Sequence, residues 1–402
     1  MAEQFTTLAS LTVYGKGSYG IGASAVPFSK DLYTYLRITD IKDDGTLNLQ
    51  DLKSVDDEKA SQYLLKPNDI VFARTGASTG RNYFYDETDG EFVYAGFLIK
   101  FSIDEKKVNP KYIKYFCQSK QYKDWINSFN TGSTRGNINA QTLGKMPIPL
   151  IERKIQDTLV SVLSSIDEKI KLNNEINNNL EQQVRAIFKS WFVDFEPFGK
   201  KMPVDWCNGT INDLSKDIVC GKTPTTKKTY YYGTDIPFIT IPDMYDKIYT
   251  INTERYLSVL GANSQAKKYL PKNSICVSCI GTAGLVTLVA EVSQTNQQIN
   301  SIIPKDGFSP YYIYLLMQTL SYTINKLGQS GSTIVNLNKS QFAKIQVTIP
   351  AISVMSDFDK IASPMFEKIL QNQKENLHLS LIRESLLPKL MSGELDVSDI
   401  DL

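Results

Sequence analysis

Asn68–Gly76 reads NDIVFARTG, and Asn273–Gly281 reads NSICVSCIG. Each is an apolar run that stops at a glycine, the pattern of a buried strand leading into a turn. A second pair of stretches accompanies them: Gly132-Ser133-Thr134 with Asn137 and Asn139, and Gly331-Ser332-Thr333 with Asn336 and Asn338. Each copy then runs into a long helical pattern, at 151–192 and at 353–391. A repeat of roughly 200 residues is too long for a solenoid and implies two domains of one design.

Around these stretches the order is the same in both halves. Tyr35–Ile41 (YLRITDI) alternates like a strand and is answered by Phe238–Met244 (FITIPDM). A helix is expected near Pro110–Ser128 and another at Pro310–Thr319. Each head is thus a mixed α/β domain of roughly 150 residues. The helical tracts carry apolar residues at alternating threes and fours, the spacing of a coiled-coil seam. In the first these are Ile155, Leu159, Val162, Ile166, Ile170, Leu180, Val184, Ile187 and Trp191; in the second, Phe358, Ile361, Met365, Ile369, Leu379, Ile382, Leu386 and Leu390. Asn173 and Asn177 interrupt the first seam, and Asn372 and Asn376 the second. If the tracts pack antiparallel, the four amides fall close together and form a polar layer that fixes register, because a shifted amide faces Leu unpaired. Pro364 is expected to kink the second helix or delay its start.

The composition, 42% hydrophobic and 22% charged, is that of a globular chain and not of a disordered one. No apolar run reaches membrane-spanning length, and the start lacks a basic segment followed by an apolar core, so a cytoplasmic location is expected. A net charge of +1 leaves nucleic-acid contact to local patches such as Lys222, Lys227 and Lys228, or Lys267, Lys268 and Lys272. Five cysteines and one histidine make neither a disulfide framework nor a closed zinc site; Cys276 and Cys279 read as buried strand residues on opposite faces. Gly15–Gly20 matches a dinucleotide-binding spacing but is followed by no helical period. No catalytic constellation and no metal site is expected.

Several segments carry a family resemblance. Phe188–Pro197 (FKSWFVDFEP), Arg383–Leu395 (RESLLPKLMSGEL), Met146–Glu152 (MPIPLIE), Val347–Pro350 (VTIP) and the loops Gly132–Asn139 and Gly331–Asn338 resemble the specificity subunit of type I restriction-modification systems. The resemblance implies an α+β chain with two target-recognition domains, at 1–150 and 199–350, separated by an antiparallel two-helix coiled coil with a pseudo-twofold axis. The helices are then 151–198 and 351–402. It implies that each domain reads one half of a bipartite double-stranded DNA site. Two methyltransferase subunits, which modify adenine at N6, and motor-nuclease subunits are the implied partners. S-adenosylmethionine, ATP and Mg belong to those partners, with no cofactor in this chain and no catalysis by it. The alternatives are the specificity subunit of a related restriction assembly and a self-contained DNA methyltransferase. A helix of about 40 residues spans ~60 Å, enough to separate two heads by a helical turn of DNA.

The candidate DNA-contacting residues follow from loop chemistry. Arg74, Thr75, Gly76, Ser78, Thr79 and Arg81 form a loop after a strand, and Ser133, Thr134 and Arg135 form a second loop. Arginine suits the O6/N7 edge of guanine, and hydroxyls suit phosphate. In the second head the candidates are Ser278, Gly281, Thr282, Gln297, Gln298, Ser332 and Thr333, the two Gln as adenine readers. That head has Cys279 and Ile334 where the first has Arg74 and Arg135, so it is expected to read different bases.

Overall fold

The computed structural model describes residues 5–129, 136–328, 336–392 and 394–395. They fall into two units, one built from Met1–Glu168 with Leu379–Leu402 and the other from Lys169–His378. Both long helices, Arg153–Phe192 and Ile352–Met391, give one part to each unit. The fold class is α+β.

In the first unit, Asp69–Ala73 is buried along its whole length and pairs antiparallel with both Leu98–Ser102 and Asn82–Phe84. Ser18–Tyr19 closes the other edge of that sheet. A second sheet orders Ala25–Pro27, Lys53–Val55, Tyr33–Leu36 and Phe92–Tyr94, the last pair parallel. Unit two repeats the plan. Ile275–Ser278 lies between Ile299–Pro304 and Val286–Val289, with Ser215–Cys220 beyond, and Ile236–Ile239 pairs parallel with Gln294–Thr295 in the second sheet.

The expected strands YLRITDI and FITIPDM end early. Strand structure stops at Leu36 and at Ile239, and 3-10 turns follow at Ile38–Asp40 and Ile241–Met244. The cause is one buried carboxylate in each copy. Asp40 Oδ2 accepts from the Arg37 amide and Asp243 Oδ2 from the Thr240 amide, both at 2.8 Å, which turns the chain off the sheet. The single helix expected over Pro110–Ser128 is two, Pro110–Phe116 and Lys120–Asn127, because Ser119 caps a new start through the Tyr122 amide.

The second long helix begins at Ile352 and runs through Pro364, so the expected delay does not occur; Pro364 faces solvent, where its missing amide costs least. The buried positions also differ from the expected seam. Leu163, Phe188 and Phe192 are buried where Val162, Ile187 and Trp191 were expected, and Ala362 and Phe366 replace Ile361 and Met365. Leu163 packs in the core of unit one; for the others the reason is a third packing partner in unit two. Phe366 stacks on Tyr311 with ring centroids 4.5 Å apart, and Phe188 and Phe192 meet Tyr312 at 5.7 and 4.8 Å. Each helix therefore turns its widest side chains toward the helix Pro310–Thr319 as well as toward the other long helix.

Between the two helices of unit two lies a polar interval. Asn173 Nδ2 donates to Glu375 Oε2 and Asn376 Oδ1, each at 2.9 Å. Asn372 Nδ2 donates to Asn177 Oδ1 at 2.9 Å, and Asn376 Nδ2 to Asn174 Oδ1 at 2.8 Å. Rising numbers on one helix meet falling numbers on the other, so the segments run antiparallel. Unit one has its own cross-helix contact: Asp167 accepts from Arg383 Nη1 at 2.9 Å, Lys114 Nζ at 2.7 Å and the Tyr115 hydroxyl at 3.0 Å.

Two outcomes are expected. Asn372 is fully enclosed, so Asn372→Leu alone strands the Asn177 amide and costs about 1–3 kcal/mol, whereas Asn177→Leu with Asn372→Leu recovers that loss; thermal unfolding of the four-member cycle measures it. Burial by itself pushes the Asp167 carboxyl up, and Lys114 with Arg383 more than reverses this, leaving its pKa below the ordinary value. A depressed carboxyl stabilises the fold above its unfolded pKa of about 3.9 and loses that contribution as pH falls through the folded value. Asp167→Asn should therefore weaken amide protection in unit one at neutral pH, with the gap from the parent closing in acid.

Candidate nucleic-acid interface

Each repeated strand feeds a turn whose glycine has a left-handed backbone, Gly76 at φ 74° and Gly281 at φ 77°. Neither would meet backbone or an enclosed group with an added Cβ, so the requirement is conformational and not steric. The chain then returns onto the strand's end. Thr75 pairs with Asn137 and Ile280 with Asn336; the Ile138 amide donates to Arg74 O and the Leu337 amide to Cys279 O, both at 2.9 Å. Directly afterward Asn139 and Asn338 cap the short helices Ala140–Gly144 and Lys339–Ala343, accepting from Thr142 and Gln341 amides at 2.8 and 2.9 Å. The Asn-x-Asn spacing thus has one residue for the return strand and one for the cap.

Two glycines hold the edge strand against this turn. A Cβ on Gly20 would lie 2.2 Å from the carbonyl oxygens of Tyr94 and Ala95, and one on Gly221 would lie 2.1 Å from that of Asn296. The last glycine of the apparent dinucleotide motif therefore serves backbone approach. These glycines also align the two units. The Gly20 amide donates to Leu98 O and the Gly221 amide to Ile299 O, while the Arg74 amide donates to Phe97 O and the Cys279 amide to Gln298 O. Tyr19, Arg74 and Phe97 in unit one hence correspond to Cys220, Cys279 and Gln298 in unit two.

The candidate side chains have different surroundings. Arg74 is half-buried, with its guanidinium carbon 5.2 Å from the Tyr19 ring centre and 5.7 Å from that of Phe97. Thr75 pairs with the return strand, and Thr79 Oγ1 donates to Gly76 O at 2.8 Å and Gly136 O at 2.9 Å, tying the turn closed. Ser78 is buried. Arg81 is spent on Asp43, with Nε 2.6 Å from Oδ1, and on the Ile41 carbonyl. In unit two, Ser278 is enclosed and its Oγ accepts from the Leu285 amide. Thr282 is exposed and accepts from the Tyr245 hydroxyl at 3.2 Å; Gln297 is exposed and accepts from Thr223 Oγ1 at 2.7 Å. Gln298 is half-buried and braced by Asn296 at 3.0 Å. Ser133, Thr134, Arg135, Ser332 and Thr333 lie outside the described residues.

The flanking charges sort themselves similarly. Lys100 pairs with buried Asp69 at 3.0 Å, Lys114 with Asp167, and Lys268 Nζ donates to Cys220 O at 2.7 Å, so these are internal braces. Lys222, Lys227, Lys228 and Lys267 are exposed. Cys276 and Cys279 are enclosed in separate apolar clusters, and burial pushes both thiols up to about 12, away from the thiolate form. Among the described residues no group of three His, Cys, Asp or Glu could hold a metal, and no helix is long and apolar enough to cross a membrane. Tyr19, Phe97 and Tyr245 were not expected at the turns. An exposed aromatic is ordinary in sequence, and only the pairing register shows which loop it faces.

A strand, a glycine turn, a return segment and a capped helix, built twice with different side chains, define a two-copy recognition scaffold. Comparison with known proteins gives it a family. Residues 29–182 and 203–376 each match the type I restriction modification DNA specificity domain, and the chain belongs to that family, the specificity subunits of type I restriction systems. It is 31% identical over 82% of its length to the type I restriction enzyme HindI specificity subunit of Haemophilus influenzae, covering 87% of that protein. It is 26% identical over 74% of its length to the MjaIX specificity subunit of Methanocaldococcus jannaschii, covering 72% of that one. The fold is similar to the crystal structure of a type I S subunit from M. genitalium, with a TM-score of 0.61, 17% identity and coverage of 97% and 96% of the two chains.

The close approach at the edge strand carries a prediction. Gly20→Ala and Gly221→Ala each drive a methyl into backbone carbonyls and should cost at least ~2 kcal/mol, with loss of amide protection confined to the unit that bears the change.

Proposed function

We propose that this chain is the non-catalytic DNA-reading subunit of a multisubunit restriction assembly, each unit reading one half of a bipartite double-stranded site. The supporting observation is the repeated turn: the same closure, Thr75–Asn137 in one unit and Ile280–Asn336 in the other, presents different side chains. Residues 1–150 and 199–350 act as recognition domains, and 151–198 and 351–402 as the spacer. The amides of Asn173, Asn177, Asn372 and Asn376 set the register of that spacer, since a slipped amide would face an apolar side chain. Exposed or half-buried turn residues, Arg74, Thr75, Thr282, Gln297 and Gln298, contact DNA. So do the two loops holding Ser133, Thr134, Arg135, Ser332 and Thr333. Two methyltransferase subunits bring S-adenosylmethionine and modify adenine at N6, and motor-nuclease subunits bring ATP and Mg. The assembly works in the cytoplasm.

The test changes the spacer and reads the site. Seven residues inserted into both long helices, after Glu168 and after His378, add two turns, about 10 Å. Methylation-sensitive genome sequencing of cells carrying this chain with its methyltransferase should show the same two half-sites, set about three base pairs farther apart. An unaltered gap would overturn the reading. Methylation by the isolated chain with S-adenosylmethionine would show instead a self-contained enzyme.

A further inference from the structure

Among the described residues Arg74 has no anionic partner, unlike three other cations of its unit. Arg81 is held by Asp43, Arg37 by Asp40 and Lys100 by Asp69. The Arg74 guanidinium forms no ion pair or hydrogen bond with a described residue, and its Nε is buried without a partner. A half-buried guanidinium with a buried, unpartnered Nε is costly unless something else holds it or awaits it.

What holds it is aromatic. The rings of Tyr19 and Phe97 both lie within cation–π range of the guanidinium. Both aromatics are exposed, so the guanidinium they flank lies at the surface of the unit. Their positions are fixed by backbone. Tyr19 is set by its pairing with Ile99, and its hydroxyl accepts from the Ala140 amide at 3.1 Å; Phe97 lies where its own carbonyl accepts from the Arg74 amide. With Nε buried, the two Nη groups, which bond no described residue, are left to meet a ligand.

We infer that Arg74 reads a guanine in the half-site of the first unit, with Tyr19 and Phe97 as positioning residues that fix the plane of its fork. The inference rests on the reading above that this unit contacts DNA bases. Guanine presents two acceptors, O6 and N7, on its major-groove edge, which matches a donor-only fork at two points. Adenine places a donor beside N7, so the same fork meets one acceptor and one repelling N–H group. A phosphate also accepts such a fork at two points, but it carries no sequence information, so the two contacts differ in their dependence on the base. The corresponding positions of the second unit, Cys220, Cys279 and Gln298, hold no cation, so that unit lacks this guanine contact.

The test uses the full chain assembled with its methyltransferase partner and maps modified sites in wild type and variants. The wild-type site should hold a guanine at a fixed position of one half. In Arg74→Gln, discrimination for that guanine should fall about 10- to 100-fold while the other half is read unchanged. Tyr19→Leu and Phe97→Leu should relax the same position, and Tyr19→Phe, which keeps the ring but loses the bond from the Ala140 amide, should relax it less. Phe97 is largely exposed, so its variant retains the fold and keeps the measurement decisive. An unchanged site in Arg74→Gln overturns the inference. So does a uniform loss over all sequences with a shallower salt dependence, the signature of a phosphate contact. A wild-type map without any two-part site overturns both this inference and the reading beneath it.

Discussion

The chain's return onto the end of the buried strand is the constraint on which the turn architecture depends. Ile138 and Leu337 each give their amide to a carbonyl that would otherwise face outward beyond the last strand pair. Those two bonds fix where the turn ends, where the short helix begins and which side chains project between them. Thr79 adds a second clasp in unit one, its hydroxyl shared between two carbonyls of the turn and the return segment. Such a turn can vary in side chains, and in the path between, while its closing bonds stay put. That is the property a reading surface requires, since a base contact tolerates little displacement of its donor.

Much of this is legible in the sequence. The duplicated NDIVFARTG and NSICVSCIG stretches marked the strands and their terminal glycines, because a buried central strand has a compositional signature that survives divergence. The two long helices were visible through their spacing, and the four asparagines through their interruption of it. The shorter features were hidden. Nothing in YLRITDI distinguishes an Asp that continues a strand from one that takes the amide of Arg37 and ends it. The seam was displaced by a residue at several points, since periodicity on one helix cannot tell which of two adjacent stripes faces the second helix and which the helix Pro310–Thr319.

The interface residues show the same division. Loop composition pointed to Arg74 and Arg81 equally, and only the tertiary pairing of Arg81 with Asp43 separates them. Ser278 looked available because serine in a turn usually is; here it sits one residue too early, inside the strand, where its hydroxyl supports the Leu285 amide. Tyr19 and Phe97 are far from Arg74 along the chain and meet it through strand pairing, which local sequence does not display. Residues 130–135 and 329–335 carry further candidates whose chemistry alone speaks for them.

Gly20 and Gly221 bear on how such a chain could diversify. Each sits against carbonyl oxygens that leave no room for even a methyl group, whereas the residue just before it is Tyr19 in one copy and Cys220 in the other. A frozen position thus stands beside a free one. Insertions there would break the close approach, so new preferences at this edge must arise by exchanging single side chains on a backbone of constant length, a route that lets a lineage change what it reads without first relearning how to fold.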